Sequence, residues 1–195
     1  EITIEEDGDL SKEKLHWLGS INNIAVKDNY LYGAGGNKIE ILKIESDGSL
    51  SGKNALSTRD CDNIRIHGSY LIAGENKKVT IWDISTLENP KKVKTINVDY
   101  PVKDIEVGGN YLYIYHDKLF KTGKLALYDI SDILNPVKKD EEKKECDDAE
   151  LTISGGEVYM GCKNGQYKAV NSNGSLSLKK MSGEKNYMRE AYYYN

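Results

Sequence analysis

Five oxygen-bearing side chains stand at near-constant intervals along the chain. Asn23, Asn63, Asp104, Glu150 and Glu190 follow one another at spacings of 40, 41, 46 and 40 residues. Brought to one place, they would form a ring of amides and carboxylates. Such a ring suits a hard cation such as Ca²⁺, which takes several oxygen ligands, or a polar ligand that needs a set of hydrogen bonds. The same residue types also satisfy loop amides locally and then bind nothing further. Both readings stand at the level of the sequence.

Other groups with chemical potential do not converge. His16, His67 and His116 occupy different places in the pattern described below, on an outer strand, in a hairpin turn and in an inter-strand loop. Neither a histidine metal site nor a histidine-assisted nucleophile is expected from them. Asp7-Gly8-Asp9 lacks the remaining ligands of a calcium loop and reads as a turn between outer strands. Asn173-Gly174-Ser175 is a glycosylation sequon that coincides with an Asn-Gly hairpin turn. No catalytic residue is assigned.

The elements that must position the five side chains repeat as well. A short alternating strand, a tight turn and a second strand occur as Ile24–Val26 with Tyr30–Tyr32, Ile64–Ile66 with Tyr70–Ile72, Ile105–Val107 with Tyr111–Tyr113, and Leu151–Ile153 with Glu157–Tyr159. The turns between them, Asp28-Asn29, Gly68-Ser69, Gly108-Gly109-Asn110 and Gly155-Gly156, have hairpin chemistry. A third strand follows each pair, at 38–44, 79–84, 124–130 and 166–170, and a further turn leads to a fourth. Four strands in about forty residues, with no helical period, make one blade of a β-propeller. Trp82 and Tyr128 share one position in the third strand, and each is expected to pack between neighbouring blades.

The expected fold is therefore all-β, a single propeller domain over 1–195. Its repeats fall at about 21–60, 61–101, 102–147 and 148–187, with part-blades at 1–20 and 188–195. The first part-blade would supply a third strand at 1–6 and a fourth at Lys14–Leu18, and Arg189–Asn195 would supply a first. Sharing one blade between the termini gives five blades and leaves no gaping sheet edge. The alternative is a segment of a larger ring, since residue 1 is Glu and the chain is either processed or part of something longer. A second strand missing from the shared blade would follow Asn195 in the same chain or be donated by another molecule.

In this arrangement the five oxygen-bearing residues each precede an innermost strand and ring one mouth of the central channel. Cys146 precedes the innermost strand of the fourth repeat, and Cys162 ends the second strand of the same hairpin. The hairpin brings them within reach of a disulfide. With Cys61 the cysteine count is odd, so three idle thiols remain the alternative.

Two segments carry a family resemblance. Val79-Thr-Ile-Trp-Asp-Ile-Ser85 with Asn89-Pro90, and Leu125-Ala-Leu-Tyr-Asp-Ile-Ser131 with Asn135-Pro136, resemble LVIVD repeats. The first and fourth repeats depart from that pattern, with Asp47-Gly48-Ser49-Leu50 and Asn173-Gly174-Ser175-Leu176 in place of the Asn-Pro turn. Those turns are similar to ones in lactonase-type propellers. The LVIVD resemblance implies a propeller of bacterial or archaeal surface proteins and implies no reaction.

Composition narrows the remaining classes. The 31 acidic and 27 basic side chains are mixed along the chain, which argues against a nucleic-acid surface. No apolar run approaches the ~20 residues of a membrane span. Fourteen Tyr against one Phe suits half-exposed sheet, where the ring packs and the hydroxyl stays wet. The function expected is a non-catalytic interaction or structural module, extracellular or at the cell surface, that binds a protein partner or copies of itself. The alternative is a lactonase-like hydrolase with a cation, Ca²⁺ for instance, in the channel.

Overall fold

The computed structural model describes residues 3–4, 10–11, 21–118, 123–146, 149–163 and 165–181. Thr3–Ile4 (β1) and Leu10–Ser11 (β2) form a two-stranded antiparallel ladder, with Thr3 opposite Ser11. The partner strand thus begins at Leu10, inside the segment expected to be a turn. The expected fourth strand at Lys14–Leu18, and the expected strand at Arg189–Asn195, lie outside the described residues.

Four antiparallel blades follow, each of four strands in chain order. Blade 1 holds β3 (Asn23–Lys27), β4 (Tyr30–Gly35), β5 (Lys38–Ile44) and β6 (Leu50–Ser57). Blade 2 holds β7 (Asn63–His67), β8 (Tyr70–Glu75), β9 (Lys78–Asp83) and β10 (Lys91–Asn97). Blade 3 holds β11 (Val102–Gly108), β12 (Tyr111–Asp117), β13 (Gly123–Asp129) and β14 (Val137–Lys143). Blade 4 holds β15 (Glu150–Ser154), β16 (Glu157–Cys162), β17 (Gly165–Ser172) and β18 (Ser175–Lys180). The first strands lie side by side, β3 against β7, β7 against β11 and β11 against β15. They therefore line the inside of the arc.

The innermost hairpins share one backbone device. The first turn residue is left-handed in all four blades: Asp28 (φ 52°), Gly68 (57°), Gly109 (59°) and Gly155 (58°). Glycine takes that conformation at no steric cost, and Asp is among the few other residues that tolerate it.

Blades adhere through faces that alternate along each middle strand. On β12, Leu112 and Ile114 pack toward blade 2 with Ile72, Val79 and Ile81. Tyr113 and Tyr115 on the same strand pack toward blade 4 with Leu151, Val158 and Met160. A third cluster joins blades 1 and 2 through Tyr32, Ile39, Ile41, Ile64 and Leu71. Period-two geometry with both faces buried explains why these strands read as nearly continuous apolar runs. Trp82 packs against the cluster between blades 1 and 2, and Tyr128 lies within the one between blades 2 and 3, as their shared position predicts.

The Asp-Ile-Ser…Asn-Pro segments have a clear local logic. Asp83 and Asp129 accept the amides of Ser85 and Ser131 at 2.8 and 3.0 Å, which turns the chain. Ile84 and Ile130 are buried in the inter-blade clusters. In blade 2 the turn then reaches back to blade 1. The Tyr32 hydroxyl donates to the Leu87 carbonyl at 2.9 Å, and Asn54 Nδ2 donates to the Glu88 carbonyl at 2.6 Å.

Candidate binding site at the channel mouth

The innermost strands present alternate residues to a cavity of about 380 Å³. Its wall includes Asn23, Asn63, Asp104 and Glu150 at one level, and Arg65, Glu106 and Thr152 two residues further along their strands. Four of the five ring residues expected from the sequence are thus brought together. Glu190 lies outside the described residues.

Three of the four are engaged with the next blade. Asn23 Oδ1 accepts the Ile64 amide at 3.3 Å, and Asn63 Nδ2 donates to the Lys103 carbonyl at 2.6 Å. Asp104 Oδ2 accepts the Leu151 amide at 2.6 Å, while its Oδ1 accepts the Ile105 amide at 2.8 Å. These positions therefore stitch blade to blade, and Asp104 alone of the three adds a local bond to the amide next to it. Asp104 is only 6% exposed. Burial raises its carboxyl to about 6, against the pull of Arg65 and the two amides.

Arg65 is fixed from every side. Its Nε donates to Glu106 Oε2 at 3.0 Å, one terminal nitrogen lies 3.6 Å from Asp104 Oδ1, and the other donates to the Ile64 carbonyl at 2.9 Å. Glu106 Oε1 accepts the Val107 amide at 2.9 Å. Sequence reasoning missed Arg65 and Glu106. Their signal was available, since each lies two residues after a ring position and so on the same strand face. Glu150 is exposed and forms no hydrogen bond or ion pair among the described residues.

A second set of equivalent residues was also missed. The sixth residue of the second strand is Gly35 in blade 1, Glu75 in blade 2, His116 in blade 3 and Cys162 in blade 4, and the last three grip the connector that enters their blade. Glu75 Oε2 accepts the Arg59 amide at 3.1 Å. His116, with its ring 5.8 Å from that of Tyr100, is buried at the end of β12 and not in the loop expected for it. Burial lowers its pKa, against the attraction of Glu141. Cys162 is joined to Cys146 by a disulfide with Cα atoms 5.2 Å apart, the pairing considered from the hairpin geometry. Cys61 is a free, buried thiol that burial pushes up to about 12. His67, at the end of β7, does not approach His116 in any cluster able to hold a metal ion.

Four-stranded antiparallel blades, with innermost strands side by side around a polar cavity, define a β-propeller. The LVIVD repeat profile matches residues 18–51, 58–98 and 101–140, more than half of the chain, and the chain belongs to the LVIVD-repeat family. The first repeat therefore joins the two that carry the Asn-Pro turn, despite its Asp-Gly turn.

Comparison with curated proteins finds no match. Among solved structures, the chain is similar to a functionally unknown protein from Desulfotomaculum acetoxidans. That pair has TM-score 0.70 and 11% identity, covering 92% of this chain and 62% of the other. A protein from Lactobacillus plantarum gives TM-score 0.70 and 16% identity, covering 92% and 63%. The periplasmic gluconolactonase PpgL of Pseudomonas aeruginosa gives 0.71 and 11%, covering 93% and 61%. The chain spans about three-fifths of the length of these proteins. At such identities the likeness is one of fold.

Proposed function

We propose that this chain is a non-catalytic interaction module of an extracellular or cell-surface protein, and that it receives its partner at the channel mouth. The observation that carries the reading is the polar cavity of about 380 Å³ that the innermost strands line with Asn63, Arg65, Asp104, Glu106 and Glu150. Asn23, Asn63 and Asp104 are spent on joining blades, whereas Glu150 faces the cavity with no bond among the described residues. Glu150 stands on the last described blade, so the junction equivalent to those of its counterparts is not among the described residues. The cavity lies within the range of roughly 300–1,000 Å³ common to small-molecule and side-chain pockets.

The Cys146–Cys162 disulfide supports the location, because such bonds persist in oxidising compartments and are rare in the cytosol. No helix among the described residues is long and apolar enough to cross a membrane.

Amide NMR of the folded chain tests the reading, with a panel of polar small molecules and short peptides. Binding is expected to move the signals of Glu150 and Thr152 and to leave those of the outer strand β14 in place. Shifts confined to outer strands, or none with any probe, would remove the channel mouth as the site.

A further inference from the structure

The outer edges of the blades are not alike. In blades 1, 2 and 3 the pairing of the third and fourth strands slips once, between Ile41 and Lys43, between Lys92 and Lys94, and between Leu127 and Tyr128. A bulge of this kind twists an edge strand away from further pairing. β18 has no such slip. It runs in continuous register against β17, from Ser175 opposite Ser172 to Lys180 opposite Tyr167, and it ends its sheet.

The bonds of β18 decide which of its backbone groups face outward. Met181 donates its amide to the Gln166 carbonyl at 2.9 Å, and antiparallel pairs alternate between bonded and unbonded. Ser175, Ser177 and Lys179 therefore spend their backbone on β17, whereas Leu176, Leu178 and Lys180 turn theirs outward. Asp140 Oδ2, from blade 3, accepts the Leu176 amide at 2.7 Å. The Leu176 carbonyl, the amide and carbonyl of Leu178 and the Lys180 amide have no partner among the described residues.

Charge gives this edge a direction. Lys179 and Lys180 are exposed, and neither forms an ion pair among the described residues. On β14, by contrast, Lys138 is paired to Glu141 at 2.6 Å. Lysine on an open edge repels neutral or basic strands, but it selects an acidic one. A strand laid along β18 meets the Asp140 carboxylate at one end and two unanswered ammonium groups at the other.

We propose that the outer edge of β18 accepts an extended segment of another protein as a fifth strand, with adjacent acidic residues opposite Lys179 and Lys180. The added strand runs antiparallel, like the rest of the blade, which is the more stable pairing. Main-chain bonds at Leu178 hold it, and the charges fix its polarity. A second copy of β18 fits less well. Two-fold pairing about Leu178 would set Lys179 opposite Ser177 and Lys180 opposite Leu176, and would answer neither charge.

Titration with the capped peptide Glu-Asp-Val-Thr-Val-Thr, read by amide NMR and hydrogen exchange, tests this. Its acidic end falls opposite Lys180 and Lys179 in antiparallel pairing. Shifts are expected from Leu176 to Lys180, with exchange of the Leu178 amide slowed roughly tenfold or more. The peptide Lys-Lys-Val-Thr-Val-Thr is expected to bind roughly tenfold more weakly, and the double variant Lys179→Glu, Lys180→Glu to reverse the preference. The double variant Lys91→Glu, Lys92→Glu, on the bulged edge of β10, is expected to change nothing.

No binding of the acidic peptide, equal affinity for the two peptides, or an unchanged preference in the Lys179, Lys180 variant would overturn the inference. Shifts at Glu150 and Thr152 in place of β18 would overturn the edge and support the channel mouth. A dimer of the chain alone in sedimentation, with the Leu178 amide protected before any peptide is added, would assign the edge to a second copy and overturn the proposal.

Discussion

Asp104 is a carboxylate at a stitch position that its counterparts in blades 1 and 2 fill with amides. Asn occupies the equivalent place in blades 1 and 2, where a neutral amide makes the stitch. Arg65 reaches both kinds, donating to Asn23 Oδ1 at 3.5 Å and lying 3.6 Å from Asp104 Oδ1, where a carboxylate stands in place of the amide. Asp104→Asn keeps an acceptor for the Leu151 amide and leaves Arg65 its bond to Glu106, so at pH 4, where the folded carboxyl is neutral, a loss under about 1 kcal/mol is expected by denaturant titration. Asp104→Ala strands a buried amide and is expected to cost on the order of 2–3 kcal/mol.

The two variants also differ from the parent in pH dependence. The folded Asp104 carboxyl holds its proton to about pH 6, whereas the free side chain loses it near 3.8. Its stabilising contribution is complete below 3.8 and is lost as pH rises through 6, on the order of 3 kcal/mol in all. His116 works in the opposite sense. Its pKa is lowered on folding, so its contribution is present above 6.5 and lost as pH falls. Thermal melts between pH 4 and 7 are expected to show Asp104→Asn gaining stability relative to the parent as pH rises. Parallel curves would mean that the carboxyl is not desolvated.

At the scale of elements, the grip of each second strand on its incoming connector decides how firmly a blade sits on its predecessor. Blade 2 uses Glu75 and a backbone amide, blade 3 uses the His116–Tyr100 ring contact, and blade 4 uses a covalent bond. The disulfide closes a loop of sequence separation 16, for which loop-closure entropy alone gives about 3 kcal/mol. Reduction is expected to destabilise the chain by that order, with hydrogen exchange rising first in β15 and β16. Alkylation of the denatured, unreduced protein followed by mass measurement is expected to find one reactive thiol, that of Cys61; three would mean an unbridged protein. Trp82→Ala and Tyr128→Ala remove rings from two different inter-blade clusters. Each is expected to cost on the order of 3 kcal/mol, less for the half-buried Trp82. A change below about 1 kcal/mol would place the ring in solvent.

At the scale of the whole molecule, the described blades form an arc whose junctions repeat, and blade 1 stands at one end of the described set. Ile64, Ile105 and Leu151 occupy one position on successive innermost strands and are 1%, 0% and 4% exposed, each against the preceding blade. Ile24, at the same position in blade 1, is 57% exposed. A further blade on that face would bury it like its counterparts, worth about 2 kcal/mol. Ile24→Asp separates the two cases: a loss of at least that amount in a denaturant titration means that the face is covered. A change under about 0.5 kcal/mol would mean that the face meets water.

The sequence by itself determined the four-stranded blade and the recurrence of Asn23, Asn63, Asp104 and Glu150 at one place on successive innermost strands. Each of these follows from local rules: period-two alternation, left-handed turn residues and the recurrence of Asn, Asp or Glu before Ile or Leu. It also put Trp82 and Tyr128 at inter-blade positions and brought Cys146 and Cys162 within reach of each other, because a hairpin fixes its own register. Only the tertiary structure decided what the ring side chains do. Asn23 and Ile64, or Asp104 and Leu151, lie some forty residues apart, and the bonds between them exist only once two blades are set side by side. Burial of Asp104 and His116, and the saturation of Arg65, likewise depend on what the neighbouring blade presents. A strand dictates which way its side chains point; the blade beside it dictates whether they meet a partner, a wall or an open cavity.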